Sequence, residues 1–567
     1  MNRYVKVKVR DTDGKIHVIE ARSGENLGKL LASKGLLPLP CGGRGLCGQC
    51  IVKVNGNVSP PTGNELARRI GNGLRLACQT LVLGETYVEL IYKPILNVSK
   101  LTLSVDIKKI DPIYKLIELR RHYPKDEGRI PILMRRELID EMCRYYVSVF
   151  DLVMGCTSDE SGLILLIDLG TTKIAYQVID RRGNVIREGV ELNPLVRYGL
   201  DIITRLSSAL DPRLRYEMKS TLRKKIQDLV KEDLSLIVIA GNSVMESLLL
   251  GLPLEQLAVK PFQPYIKGPF IDLEISSKTP AYVMPLIGGF VGGDAYADLA
   301  LTEYMDLDKP YMIIDIGTNT EIIIVTDRNS DPIYATSAPA GPAFEGHIES
   351  GAGIYQPGIS RIEIIGTDYE GKPIIRYHVE GRGKPVGLIG SGIISLIAEL
   401  LRQGFISSNG KIVKGYQRIN GIKNIVIVDE AETATGKPIL FSQKDLREVQ
   451  KAIAAIKTGW QILLNKSGIS INAIKWVYVT GFFGSSINVE DLLLLGLIPP
   501  ISKDRIITIG DAVLAGLKVL VLDRDHNEYM REFVSKANVV DLASIPEFTS
   551  LWIENLSLGN KFSNSVS

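Results

Sequence analysis

One short pattern occurs twice in this chain of 567 residues, and the repeat constrains the fold more than any other feature. Two segments align without gaps at an offset of 147 residues, the first at Leu166–Arg181 and the second at Ile313–Arg328. Each contains an apolar run, an Asp-x-Gly-Thr turn and a second apolar run that ends in Asp-Arg. A strand–turn–strand unit used twice predicts a body of two similar halves, from about residue 161 to 545.

The repeated turn has the composition of a phosphate site. Its glycine lets the backbone approach a phosphate closely, and the following amides and the Thr hydroxyl can donate to phosphate oxygens. The Asp at the strand end can hold hydrated Mg²⁺ or orient water. A single turn of this kind would indicate an ordinary hairpin, but its gap-free duplication favours two turns that hold one nucleotide across a cleft. The sequence contains no P-loop pattern.

Four of the six cysteines form a group near the start of the chain, at Cys41, Cys47, Cys50 and Cys78. Clustered cysteines in a large intracellular chain bind metal more often than they form disulfides. Glycines between the first three let the backbone fold tightly around an inorganic core and direct amides at its sulfurs. Structural zinc is the alternative. Zinc sites, however, usually take their ligands from two short knuckles, whereas here three cysteines lie within ten residues and the fourth lies far from them.

Alternating strands and one helix surround these cysteines. Strand patterns at Tyr4–Val9 and Ile16–Glu20 flank an Asp-Gly turn, which is typical of a hairpin. Leucine spacing predicts a helix from Ser23 to Ser33, and further strands are expected at Ile51–Val54 and Tyr87–Tyr92. These elements indicate a small, sheet-rich domain.

The charge distribution separates the same parts. The net charge is +3, but residues 1–95 carry 14 basic and 7 acidic side chains, whereas residues 161–567 carry 42 and 46. No long basic run or aromatic interleaving accompanies the excess, so we expect no nucleic-acid partner. No apolar run is long enough to span a membrane, and the start lacks a signal-peptide core, so we expect a cytoplasmic protein without a membrane partner.

The first 95 residues resemble [2Fe–2S] ferredoxins. Five residues separate Cys41 from Cys47, and this spacing resembles that of adrenodoxin-like proteins and fused ferredoxin domains. The repeated turns resemble those of the ASKHA superfamily, which includes sugar kinases, heat-shock chaperones and actin. The pattern nearest to its adenosine motif is Trp476–Ser486, a buried strand that ends in glycines. The resemblance implies an α+β ferredoxin-like (β-grasp) domain followed by a duplicated α/β ASKHA domain.

Four further segments sharpen the resemblance: Ile239–Met245, Phe290–Asp294, Ala340–Gly346 and Gly387–Gly392. In this order behind a ferredoxin domain, they are similar to the reductive activators of corrinoid-dependent methyltransferases and corrinoid iron–sulfur proteins. The chain departs from that pattern at Ile389, where relatives have Cys, at Thr320, where Gly is common, and in its short connector. The expected division is residues 1–95, a connector at 96–160, halves at 161–310 and 311–545, and a tail at 546–567.

The resemblance implies an ATP-hydrolysing electron transferase that uses a [2Fe–2S] cluster and ATP with Mg²⁺. It would reduce the inactive cobalt(II) of a corrinoid protein to cobalt(I), would draw on an upstream electron donor, and leaves a homodimer open. Two alternatives stay open at this point. One is an ATP-coupled donor to another low-potential metalloenzyme, and the other is an ATP-independent electron carrier whose body is a binding scaffold.

The resemblance also assigns site residues. The cluster ligands are Cys41, Cys47, Cys50 and Cys78. The catalytic carboxylates are Asp168, Asp294, Asp315 and Glu345. Asp294 and Glu345 would place the attacking water or the metal, and the alternative for either is a helix N-cap or first-turn carboxylate. The nucleotide-binding residues are Gly170, Thr171, Thr172, Lys173, Gly317, Thr318, Asn319, Gly390, Ser391, Gly392, Gly481 and Gly484.

Overall fold

The computed structural model describes residues 4–37, 39, 43, 45, 48–67, 73–92, 105–118, 144–150, 152–199, 201–276, 279–317, 319–353, 356–481, 487–510 and 512–559. They form a small head, a connector sheet and a large body of two similar halves. Within these ranges, no helix has both the length and the apolar character needed to cross a membrane.

The head is a mixed β-sheet crossed by one helix. Its elements are β1 (Tyr4–Arg10), β2 (Ile16–Arg22), β3 (Glu25–Asn26), α1 (Leu27–Ser33), β4 (Ile51–Val58), α2 (Gly63–Ala67), β5 (Leu74–Leu76) and β6 (Leu81–Leu90). The strand order is β2-β1-β6-β4-β5, β3 pairs with β6, and β1 runs parallel to β6. This is the β-grasp arrangement expected from the sequence.

The predicted helix from Ser23 to Ser33 was wrong at its start. Glu25 and Asn26 pair with β6 as a short strand, so the backbone enters the helix only at Leu27. The Asn26 side chain then accepts a hydrogen bond from the Lys29 amide at 3.0 Å. This N-cap satisfies a donor that the first turn of a helix leaves unpaired.

The connector contains a three-stranded antiparallel sheet of β7 (Tyr114–Glu118), β8 (Tyr145–Val149) and β9 (Leu152–Thr157). Its buried residues Tyr114, Val147 and Val149 belong to the same apolar core as Ile164 and Leu301 of the body. The described part of the connector is therefore packed onto the body and is more than a linker.

The first half is a six-stranded sheet with helices packed against it. The elements are β10 (Ile164–Leu169), β11 (Lys173–Ile179), β12 (Val185–Leu192), α3 (Ile202–Ala209), α4 (Pro212–Leu229), β13 (Leu236–Gly241), α5 (Ser243–Leu250), α6 (Glu255–Ala258), β14 (Phe270–Asp272), β15 (Ala281–Val283) and α7 (Gly293–Tyr304). The strand order is β12-β11-β10-β13-β15-β14. Every residue of β10 is buried, as expected for a central strand covered on both faces.

The second half repeats this arrangement and adds to it. The elements are β16 (Tyr311–Asp315), β17 (Thr320–Val325), β18 (Ile333–Ala338), β19 (Gly358–Thr367), β20 (Pro373–Glu380), β21 (Gly387–Leu388), α8 (Gly390–Arg402), β22 (Gln417–Ile419), β23 (Ile422–Val428), β24 (Ile439–Ser442), α9 (Gln443–Ser467), β25 (Trp476–Thr480), α10 (Val489–Leu495), β26 (Ile506–Thr508), α11 (Val513–Leu522), α12 (Arg524–Ser535), β27 (Ala537–Val539) and α13 (Phe548–Asn555). Its main sheet has the order β26-β25-β16-β17-β18-β27, which matches β15-β13-β10-β11-β12 of the first half.

Helices α7 and α11 join the halves. A β-carbon at Gly516 in α11 would lie 2.0 Å from the carbonyl oxygen of Ala297 in α7, so the two helix backbones almost touch there. Both helices share one buried core with Ile164 of the first sheet and Ile313 of the second. The hairpins β10–β11 and β16–β17 thereby contribute to one apolar core that the two halves share.

An iron–sulfur loop and a phosphate cleft

Two of the four predicted cluster ligands lie in the described part of the head. Cys50 and Cys78 are 2% and 4% exposed, and neither is in a disulfide. The amide of Ala77 donates to the carbonyl oxygen of Cys50 at 2.9 Å, which fixes the two segments beside each other. Cys41 and Cys47 lie outside the described residues.

The surroundings of these thiols fit an iron–sulfur cluster. Gly43, Gly45 and Gly48 have φ values of 82°, 74° and 72°, a left-handed backbone that lets the loop turn tightly. Gln79 donates from Nε2 to the carbonyl oxygen of Gly43 at 3.1 Å and so ties the loop to the Cys78 segment. Two buried thiols beside a glycine-rich loop supply half of the four-cysteine donor set expected for a [2Fe–2S] centre.

The first phosphate turn is held by side chains from two other segments. Asn242 Nδ2 donates to Thr171 Oγ1 at 3.0 Å, and Asn193 Nδ2 donates to the Gly170 carbonyl oxygen at 2.7 Å. Asp168 is 8% exposed at the end of β10, and Lys173 begins β11. The turn is therefore rigidly positioned, with Asp168, Thr171 and Thr172 at its open end.

The second phosphate turn meets the predicted adenosine strand. Asp315 ends β16 opposite Thr480 of β25, and a β-carbon at Gly481 would lie 2.2 Å from Oδ1 of Asp315. Only glycine at position 481, with φ of 99°, leaves room for this carboxylate. Gly317 and Asn319 lie in the turn, while Thr318 and Gly484 are outside the described residues.

Buried carboxyl groups gather between the two turns. Burial raises the pKa of Asp294 to about 6, and burial together with Asp294 and Asp315 raises the pKa of Glu321 well above its usual range. Burial, and then Asp294, likewise raise the pKa of Glu246, which accepts from the Gly241 amide at 2.9 Å. Burial thus favours the neutral form of these carboxyl groups beside the turns, and a nearby cation would favour their ionised form.

These carboxyl groups do not form a ready metal cage. Among the described residues, no three His, Cys, Asp or Glu side chains come together as metal ligands. Mg²⁺ commonly takes one or two carboxylates and completes its octahedron with phosphate oxygens and water. The cleft therefore fits Mg²⁺ that arrives with a nucleotide.

Glu345 joins the two halves at the phosphate end. Thr172 of the first turn donates from Oγ1 to Glu345 Oε2 at 2.9 Å, across 173 residues of sequence. Arg205, which is fully buried, lies close enough to interact electrostatically with Glu345. Burial lowers the pKa of Arg205 to about 9, and the charges of Glu345 and Asp201 offset this effect only in part.

The glycines at 390–392 have a packing role in the structure. Gly390, Ser391 and Gly392 form the buried first turn of α8. A β-carbon at Gly392 would lie 1.9 Å from the carbonyl oxygen of Ile359, because α8 crosses β19 at this point. Their contribution to the nucleotide pocket stays a prediction, as do the individual roles of the other site residues.

Sequence reasoning missed several residues that build the cleft. Glu321 directly follows the second turn, and Glu246 follows the quoted Ile239–Met245 segment, so both were adjacent to recognised motifs. Asn193 and Arg205 come from segments without a motif, and only tertiary packing brings them to the first turn.

The fold and the two sites define a two-halved nucleotide-binding protein with a ferredoxin-type head. Family comparisons match the 2Fe-2S iron-sulfur cluster binding domain at residues 11–83, the RACo middle region at 163–307 and the C-terminal ASKHA domain of RACo at 309–566. The matches thus follow one another along the chain, first to an iron–sulfur domain and then to the middle region and the C-terminal ASKHA domain of RACo. The resemblance inferred from the sequence is confirmed.

Individual relatives agree with this assignment. The chain is 28% identical to the corrinoid activation enzyme RamQ of Eubacterium limosum, over 93% of this chain and 95% of RamQ. It is 28% identical to the [Co(II) methylated amine-specific corrinoid protein] reductase of Methanosarcina barkeri, over 48% of this chain and 51% of the reductase. The solved structure of a reductive activator for corrinoid, iron-sulfur protein matches with a TM-score of 0.67 and 24% identity, over 98% of both chains.

Proposed function

We propose that this chain is an ATP-dependent reductive activator, which uses nucleotide binding and hydrolysis to drive one electron from its head onto a corrinoid protein. The cluster would supply that electron and take the corrinoid from cobalt(II) to cobalt(I). The observation that carries the proposal is the presence, in one chain, of a cluster-binding loop and a two-sided phosphate cleft. RamQ and the methylated-amine reductase, whose names describe action on corrinoid systems, support this choice.

The residues of the chain have distinct tasks in this proposal. Cys41, Cys47, Cys50 and Cys78 hold the cluster, and the two turns hold the nucleotide phosphates. Asp168, Asp294, Asp315 and Glu345 place water and Mg²⁺ at the γ-phosphate. An upstream electron donor is part of the proposal because the head must be reduced again after each transfer, and a homodimer stays a prediction.

ATP can drive the transfer only through differential affinity. A ligand shifts an equilibrium between two arrangements only if it binds one of them more tightly than the other. The cleft lies between two halves that Thr172 and Glu345 connect directly, so a phosphate between them changes that connection. Nucleotide binding can therefore change the arrangement of the whole molecule.

The proposal is tested under anaerobic conditions with a cobalt(II) corrinoid protein, a chemical reductant and Mg·ATP. The wild-type chain should remove the cobalt(II) absorption only when ATP is present. Cys50→Ser should lose the visible absorption of the [2Fe–2S] centre and the reduction, while keeping nucleotide turnover. Asp315→Ala should keep the absorption and lose the turnover. Reduction that is equally fast without ATP would favour the plain electron carrier.

A further inference from the structure

The iron–sulfur head is attached to the body beside its own cluster ligand. Gln49, the residue before Cys50, donates from Nε2 to the carbonyl oxygen of Gly346 at 3.2 Å. Its own carbonyl oxygen accepts from Gln356 Nε2 at 3.1 Å and from the Tyr92 hydroxyl at 2.7 Å. Gln49 is 3% exposed, so these hydrogen bonds are shielded from water. The cluster loop is therefore held to the second half at this point.

The head also touches the first half. Its apolar core packs against Leu192, at the end of β12, and against Val386 of the second half. Leu192 directly precedes Asn193, whose amide and side chain both hydrogen-bond the first phosphate turn. The head thus spans the seam between the halves, close to the phosphate end of the cleft.

One part of the contact is open. A cleft of about 600 Å³ separates the β1–β2 turn and β4 of the head from residues 434–437 of the body. The buried hydrogen bonds between head and body described above are concentrated around Gln49. Release of the head would break these bonds and expose Leu192 and Val386.

The segment that receives Gln49 also reaches the first phosphate turn. We call residues 341–353 the bridging loop. Glu345 of this loop accepts the Thr172 hydroxyl, and the adjacent Gly346 accepts the Gln49 amide. Gly346 has φ of 80°, and a β-carbon there would lie 2.0 Å from the Ala352 carbonyl oxygen. The loop is packed so tightly that a shift at Glu345 moves the carbonyl that holds the head.

We propose that the bridging loop is the dock of the iron–sulfur head in the nucleotide-free protein, that Gln49 positions the head on it, and that a nucleotide phosphate at the first turn releases the head. The inference rests on the proposed function in one respect, that nucleotide binds at this cleft.

The release follows from competition for one hydrogen-bond donor. A phosphate that accepts the Thr172 hydroxyl takes this donor away from Glu345. The head-bound loop and the phosphate-bound turn therefore disfavour each other. Coupling of this kind is reciprocal, so a docked head must weaken nucleotide binding by the same factor by which nucleotide weakens docking.

The reciprocity gives a test that needs no corrinoid partner. Binding of the Mg²⁺ complex of a non-hydrolysable ATP analogue, AMPPNP, is measured by calorimetry on the full-length, cluster-loaded chain. Gln49→Ala removes the hydrogen bond to the Gly346 carbonyl oxygen and so weakens docking of the head. AMPPNP binding should then tighten about fivefold, which corresponds to the net contribution of roughly one hydrogen bond. Asn55→Ala, an amide truncation at an exposed position of β4, should leave the affinity unchanged.

A second variant and a second measurement complete the test. Gln356→Ala removes the hydrogen bond that the body donates to the Gln49 carbonyl oxygen, and it leaves the sequence of the cluster loop unchanged. This variant should also tighten AMPPNP binding. In small-angle X-ray scattering, AMPPNP should increase the radius of gyration of the wild-type chain as the head leaves the body.

The possible results distinguish a failure of the docking proposal from a failure of the proposed function. Unchanged or weaker AMPPNP binding in both Gln variants, or an unchanged radius of gyration, overturns the dock while the activator function stands. A wild-type chain that binds no AMPPNP at all overturns both.

Discussion

At the scale of single residues, the buried ionisable groups of the cleft lower the stability of the folded chain. Asp294, Glu321 and Glu246 are buried close to one another, and burial of a carboxylate favours its neutral form. Such groups reduce the stability of the free protein. Burial of Arg205 also lowers the stability of the folded chain, because no carboxylate of the described residues lies at ion-pair distance from its guanidinium.

The burial of Asp294 predicts that the free energy of unfolding depends on pH. Its pKa is about 6 in the folded chain against an ordinary 3.8, so the folded state holds the proton more tightly. The free energy of unfolding therefore falls as the pH rises from about 4 to 6, and the loss persists above 6. Asp294→Asn removes this contribution, so its stability advantage over wild type should grow by about 1–2 kcal/mol between pH 5 and 7.5. Urea unfolding without nucleotide measures it, and an equal difference at both pH values would contradict the assignment.

At the scale of elements, α7 and α11 make the joint between the halves. Gly→Ala in a helix normally stabilises it by about 1 kcal/mol. At Gly516 the sign should reverse, because the new methyl group would meet the Ala297 backbone at 2.0 Å. Gly516→Ala should destabilise the chain by about 1–3 kcal/mol in denaturant unfolding. Gly366→Ala, where a β-carbon meets nothing within 4 Å, is the matched control; a neutral Gly516→Ala would mean that the joint is loose.

Local patterns predicted the elements better than the contacts between them. The repeat at Asp168 and Asp315 predicted both hairpins, because a buried strand, a glycine turn and a second strand leave a strong local signal. The start of α1 was missed because the pairing of Glu25 with β6 is a tertiary contact. The bond from Gln49 to Gly346 joins residues 297 positions apart, and neither position has a pattern that indicates its partner.

At the scale of the whole molecule, charge is divided between the parts. Residues 1–95 have a net charge of +7, with 14 basic and 7 acidic side chains, and the body is slightly acidic. A basic head that leaves its dock should associate with an acidic surface on its electron acceptor. Electron transfer should then slow by about tenfold as salt is raised from low to high concentration, since screening removes the steering. Nucleotide turnover without a partner is the control, and transfer rates insensitive to salt would remove this inference.

The central claim is that one chain couples a nucleotide cleft to reduction of a corrinoid by its iron–sulfur head. The most direct measurement follows the cobalt(II) absorption of a corrinoid protein under anaerobic conditions, with the reduced chain and with or without Mg·ATP. We expect loss of cobalt(II) with ATP, little loss without it, and none with Cys50→Ser or Asp315→Ala. Cobalt(II) that persists in the presence of reduced wild-type chain and ATP, for every corrinoid protein of the source organism, would contradict it.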